Sequence, residues 1–206
     1  MSESNRKCGG GVVRLGSASC ASPFADEAGL QEHLAASLRD LGCSAWREVR
    51  FVQPDYMTAG KTHRRSLDVL ALVPAGVGWI PARPDFNRAF LLGIACKNSD
   101  GCKAFSEARA QAASVVAGYD FRLEKHHGSP VLGRPWRAAV FTPAQLEPDR
   151  FGIERPALND DQSRTFDRER SLWRIGASFL WETDSGYRFR AHLEGVECVI
   201  NIGGRP

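Results

Sequence analysis

Leu30, Leu34, Leu38 and Leu41 recur at helical spacing and make one apolar stripe, so residues 25–41 are expected as a helix, with Gly42 where a C-terminal stop belongs. The period then changes. Trp46 to Val52 is short, aromatic and β-branched, which predicts a strand, and residues 53–63 carry Pro54, Gly60 and polar side chains, which predict a loop. Arg65 to Val73 reads as a second strand with one carboxylate, Asp68, inside an apolar run. Residues 74–87, with three prolines and two glycines, read as a long connection. Ala89 to Lys97 is nearly all apolar until its final lysine, the signature of a strand covered on both faces. A turn at 98–101 leads to a helix over Lys103 to Tyr119, with Phe105, Ala108, Ala112, Val115, Val116 and Tyr119 on one side. Trp136 to Thr142 reads as a fourth strand, closed by Pro143. Leu172 to Trp181, Tyr187 to Leu193 and Cys198 to Ile202 read as three more, the first two joined around Asp184-Ser185-Gly186. The order is α-β-β-β-α-β, then β-β-β, without an internal repeat.

The 206 residues suit one α/β domain, divided by pattern into a flexible N-terminal leader (1–22), a core (23–147), a polar loop or linker (148–171) and a C-terminal β extension (172–206). In that extension Trp173, Trp181 and Tyr187 serve a core if buried, or a base-stacking or protein-binding surface if exposed. A net charge of +3 permits a nucleic-acid partner without demanding one. The six cysteines form no C-x-x-C pair, and with no signal-like apolar segment they read as reduced thiols in a cytoplasmic protein. No apolar run approaches the roughly 18 residues of a membrane span.

The chemistry gathers on the second and third strands. Hydrolysis of a phosphodiester needs a divalent metal to polarise the phosphate and acidify a bound water, and magnesium prefers carboxylate oxygens and waters. A carboxylate at Asp68 and a cation at Lys97, on neighbouring strands, supply a ligand and a charge from rigid elements. Taken singly, each has a plainer reading, a sheet-end aspartate bonded to backbone or arginine and a strand-end lysine reaching solvent.

The segment Glu27 to Tyr119 resembles the PD-(D/E)xK, or restriction-endonuclease-like, nuclease superfamily. Its pattern is a helix with a glutamate, three strands carrying an aspartate and then acid-x-lysine, and a helix often bearing a glutamine. Here Glu27 opens the helix, Glu48 lies on the first strand, Asp68 follows Leu67 where the family often has proline, Ala95-Cys96-Lys97 ends the third strand, and Gln111 lies on the second helix. The resemblance implies a mixed central sheet flanked by helices, with extra C-terminal strands, and a Mg or Mn cofactor. It implies Asp68 as the central metal ligand, with Glu27 and the backbone carbonyl of Cys96 as further ligands and Glu48 as either another ligand or a salt-bridge partner. Lys97 would position or activate the water and Gln111 would hold Lys97 or that water. Helical angles favour Glu27 over Glu32, because Glu27 shares the leucine face and Glu32 points nearly opposite.

Ala95 breaks the pattern, since a methyl group cannot bind metal. Three explanations compete: an engineered substitution, a natural loss, and a carboxylate relocated to the following helix, whose expected place is here taken by Gln111. Glu107 lies one turn before Gln111 and about 40° away by helical angle, a poor substitute. Lys61, His63, Arg64, Arg65 and Lys103 border the site and suit phosphate contacts or a solvated basic loop. Arg164, Arg168, Arg170 and Arg174 alternate with acids, as in a solvated loop. The expected activity is a DNA endonuclease impaired at Ala95, compatible with a homodimer; the rival is a non-catalytic nucleic-acid- or protein-binding module on the same fold. A Cys96 nucleophile lacks a positioned base in the sequence.

Overall fold

The computed structural model describes residues 24–54, 62–99, 101–117, 135–142 and 160–204. The leader at 1–22 and Lys61 lie outside them. Among the described residues, three helices, α1 (Glu27–Asp40), α2 (Cys102–Val116) and α3 (Asp160–Trp173), accompany eight strands. These are β1 (Ser44–Pro54), β2 (Thr62–Val73), β3 (Gly78–Trp79), β4 (Phe90–Cys96), β5 (Arg137–Phe141), β6 (Ala177–Thr183), β7 (Gly186–Leu193) and β8 (Val196–Ile202). All eight strands join one mixed sheet in the order β1-β2-β4-β5-β6-β7-β8-β3. β4–β5 and β5–β6 are parallel and the other pairs antiparallel.

The parallel pairs require crossovers, and α2 and α3 provide them. Both connections step along the sheet in the same direction, so the preferred right-handed crossover places both helices on one face. Their apolar sides meet there in a cluster that includes Leu70, Ala95, Ala112, Val115, Val140, Leu172 and Phe179. The opposite face closes on α1, whose Leu30, Leu34 and Leu38 are fully buried among Val69, Leu92, Phe189, Ile200 and Ile202.

The sheet must curl around α1. β3 starts five residues after β2 ends, yet it occupies the far edge, six strand intervals away from β2. Six intervals of a flat sheet span about 29 Å, and five extended residues reach at most about 18 Å. Only a strongly bent sheet brings the edge at β3 back toward the end of β2. Consistent with this closure, Leu41 beyond α1 packs against Gly203 beyond β8, where a Cβ would lie 2.6 Å from the leucine.

The structure settles one open alternative and differs from the sequence reading elsewhere: β1 runs to Pro54 and β2 begins at Thr62, inside the expected loop 53–63. The connection 74–87 contains the short strand β3. Part of the expected polar linker, from Asp160 onward, is α3, and Trp173 ends that helix instead of lying in a strand. Residues 148–159 lie outside the described residues. The C-terminal strands continue the main sheet, and Trp181 and Tyr187 are buried core residues.

Gly93 sets how closely α2 lies on the sheet. A Cβ built there would sit 2.7 Å from Val115 Cγ1 and 3.2 Å from Leu67 Cδ2. Val115 is β-branched and cannot swing aside cheaply. Gly93→Ala is therefore expected to lower the free energy of unfolding by about 1–3 kcal/mol, read from the urea midpoint, and to lift the helix that carries Gln111.

Candidate active site at a fork in the sheet

The ladder between β2 and β4 runs from Val73↔Phe90 to Val69↔Ile94 and stops there. Beyond that rung β2 stays with β1, down to Pro54↔Thr62, while β4 stays with β5 through Cys96↔Phe141 and the Lys97 N–H to Phe141 carbonyl bond of 3.0 Å. The two strands part at Asp68 and Ala95, and the gap is a fork in the sheet. Burial also changes face here. Leu70 and Leu67 both pack beneath α2 although three residues apart, which strict alternation does not allow. On β1 the matching position is Glu48, in the left-handed region at φ 48° and between the rungs Arg47↔Val69 and Val49↔Leu67. A non-glycine residue there stores backbone strain.

Asp68 fills the fork. Its Oδ2 accepts the Cys96 N–H at 2.7 Å, replacing a carbonyl that β2 no longer offers. Its Oδ1 accepts from Gln111 Nε2 at 3.1 Å, and the same amide nitrogen donates to the Ser66 carbonyl at 2.8 Å. Asp68 is only 9% exposed. Burial raises its pKa against the opposing influence of the Cys96 N–H, Gln111 and Lys97.

Lys97 extends from the end of β4 to α1. Its Nζ donates to Glu27 Oε1 and Oε2 at 3.0 and 3.1 Å and lies 4.0 Å from Glu107 Oε2. Burial alone would lower its pKa, but the bond and charge of Glu27, with Asp68 and Glu107, more than offset this and raise it. Lys97 is therefore an ammonium at neutral pH. It can hold an anion or orient a water, and as it stands it is not a general base. Two contacts fix Glu27 for this pairing. Asp26 caps α1 by accepting the Gly29 N–H at 2.7 Å, and Asn98 Nδ2, just past Lys97, donates to the Phe24 carbonyl at 3.0 Å.

The sequence-expected residues thus divide. Asp68, Lys97, Gln111 and Glu27 converge from four elements. Glu32, the glutamate set aside, pairs with Arg47 and Arg39 at 3.0 and 3.6 Å. Glu48 is exposed and its carboxylate makes no ion pair or hydrogen bond among the described residues. Arg65 and Lys103 are exposed on β2 and in the first turn of α2. His63 and Arg64 lie on β2 opposite Gln53 and Val52. Ala95 is 1% exposed, beneath Ala108 and Ala112. Glu107, dismissed on helical angle, reaches Lys97 because helical side chains lean toward the helix N-terminus, the end of α2 nearest the lysine. Cys96 is fully buried, and burial with the charge of Asp68 pushes its thiol well above the ordinary range, which leaves no thiolate for a nucleophile.

Sequence reasoning missed two atoms. Asn98 Oδ1 and Thr142 Oγ1, each one residue past the Lys97–Phe141 bond, are buried without a hydrogen-bond partner. Buried oxygens are nearly always satisfied, so these two have the character of partners for a water or ligand. The carboxylates of Asp68, Glu27 and Glu107 supply the hard oxygens that magnesium or manganese takes. Among the described residues no group of three His, Cys, Asp or Glu side chains is arranged as a metal site, and Glu27 is engaged by Lys97, so an ion here would rest on two carboxylates, a backbone oxygen and waters. No protein-family model, curated protein or solved structure matches the chain.

Proposed function

We propose that the chain is a metal-dependent DNA endonuclease of the PD-(D/E)xK kind, with Glu107 standing in for the carboxylate that Ala95 lacks. One observation carries this reading: Asp68, Lys97, Glu27, Gln111 and Glu107 meet where β2 and β4 separate. The order α1-β1-β2-β4-α2-β5 and the mixed sheet flanked by helices support the restriction-endonuclease-like core. Asp68 and Glu107, with the backbone carbonyl of Cys96, would hold a divalent ion. When bound, that ion supplies Lewis acidity and a lowered pKa for water. Lys97 stabilises negative charge on the phosphate, Glu27 fixes the direction of its ammonium, and Gln111 holds the Asp68 carboxylate. Arg65 and Lys103 stand ready for phosphates beside the fork.

A second reading has its own observation. Every polar partner of Asp68 and Lys97 is satisfied within the chain, as expected of a strut in a non-catalytic binding module on the same fold. Supercoiled-plasmid cleavage with Mg²⁺ or Mn²⁺ separates the two. The endonuclease reading expects cleavage by the unaltered chain, abolished by Glu107→Gln. No cleavage by the unaltered chain, together with cleavage gained on Ala95→Glu, identifies an impaired nuclease and removes Glu107 from the site. Inactivity of both folded proteins leaves the binding module.

A further inference from the structure

Away from the fork, at the starts of β5 and β6, the sheet and the ends of α2 and α3 line a cavity of about 570 Å³ that is open to solvent. It lies one β5 length from the catalytic end of that strand, about 13 Å. Trp136, Arg137, Trp173, Arg190 and His192 frame it, and no aspartate or glutamate lines it among the described residues. Trp173 stands edge-on to the His192 ring at 4.3 Å. Arg190 is the cation with a carboxylate partner, Glu197 at 3.0 Å.

Arg137 has none among the described residues. Its guanidinium lies 4.2 Å from the Trp136 ring centroid and donates to two neutral carbonyls, those of Trp136, at 2.9 Å, and of His192. Arg88 lies against the same indole at 4.3 Å. Burial, then the charge of Arg88, depress the Arg137 pKa. Two guanidiniums held on one indole repel each other, and with no carboxylate partner for Arg137 among the described residues an anion bound to Arg137 would relieve that cost. The volume falls in the usual range for a small-molecule site. Aromatic walls accommodate a planar ring, and a guanidinium donates forked hydrogen bonds to a phosphate.

We propose that this cavity binds a nucleotide, with the base against Trp173 and His192 and the phosphate on Arg137. The same chemistry is offered by a free mononucleotide and by the terminal nucleotide of a single strand. The site does not depend on the chemistry of the fork.

Calorimetry and tryptophan fluorescence of the full chain would test it, with adenosine monophosphate as one probe and a short 5′-phosphorylated single strand as the other. Saturable binding with a submillimolar Kd is expected for at least one probe, and the tighter probe identifies the source. Arg137→Gln should weaken binding at least tenfold. His192→Asp, at an exposed position, should do the same by charge repulsion without disturbing the core. Asp68→Asn should leave Kd unchanged, which separates this site from the proposed active site. No binding up to about 5 mM of either probe overturns the proposal. So does affinity that both variants leave intact, or adenosine or inorganic phosphate alone binding as tightly as the nucleotide.

Discussion

Asp68→Asn is expected to reduce metal-dependent cleavage by at least about 100-fold, the scale on which loss of a charged group at a reacting centre is felt, while the protein stays as stable as its parent or becomes more so. The reasoning starts from burial. An ionised Asp68 is held in the fork at a cost, which its raised pKa records. Asparagine has nearly the same shape, its carbonyl can still accept the Cys96 N–H, and a neutral amide is cheaper to bury. The Gln111 amide then meets an amide nitrogen where it met Oδ1, and reverses its own orientation or keeps only its bond to Ser66. Asp68→Ala behaves differently. It leaves a buried N–H at Cys96 without an acceptor, which costs about 1–3 kcal/mol. A carboxylate retained against the interest of stability is the signature of a functional group. Plasmid cleavage and urea unfolding on the same preparations check both halves. Full cleavage by Asp68→Asn would make the aspartate a strut at the fork and nothing more.

Much of this site could be read from the chain because it is built on regular elements. The α1 leucines recur on one stripe, and that stripe fixes Glu27 toward the sheet and Glu32 away from it. The apolar run of β4 announces a central strand, and its terminal lysine marks the mouth. What escaped depends on long-range geometry or on side-chain direction. Two residues of β3 cross to the far edge because the sheet curls, and no local pattern encodes a curl. A flat helical wheel separates Glu107 from Gln111 but ignores the lean of side chains toward the N-terminus, which decides what reaches Lys97. The fork arises where a register ends, and registers belong to pairs of strands. The α3 segment hid for another reason. Its arginines and acids alternate as on a solvated surface, yet Arg168 and Glu169 are buried, a placement rare enough to defeat a reading from composition. Asp160 and Asp161 at its first turn were the available signal for a helix start.

Glu169 carries the other large expected effect, on stability. It is 5% exposed, and its two oxygens accept from Trp173 Nε1 at 3.1 Å and from the Phe179 N–H at 3.0 Å, which pins the end of α3 to the start of β6. Burial pushes its pKa from 4.5 up to about 7, against the lowering influence of those two hydrogen bonds and of the Arg190 charge. The sign follows from proton binding. Between pH 4.5 and 7 the folded chain holds a proton at Glu169 that the unfolded chain has released, so stability is greatest below the unfolded value and falls as pH rises toward 7. A shift of that size corresponds to about 3 kcal/mol. Asp68, also raised, adds a smaller slope of the same sign. The urea midpoint of the parent is therefore expected to fall steadily from pH 4.5 to pH 7 and then level. Glu169→Gln removes the titration but sets an amide N–H₂ against one of the two donors, a loss of about 1–3 kcal/mol that offsets much of the gain at pH 7. The pH dependence is thus the cleaner readout: the variant should keep only the slope left by Asp68. A variant as steep as its parent would show that Glu169 is ionised throughout this range, with Arg190 and the two donors outweighing its burial.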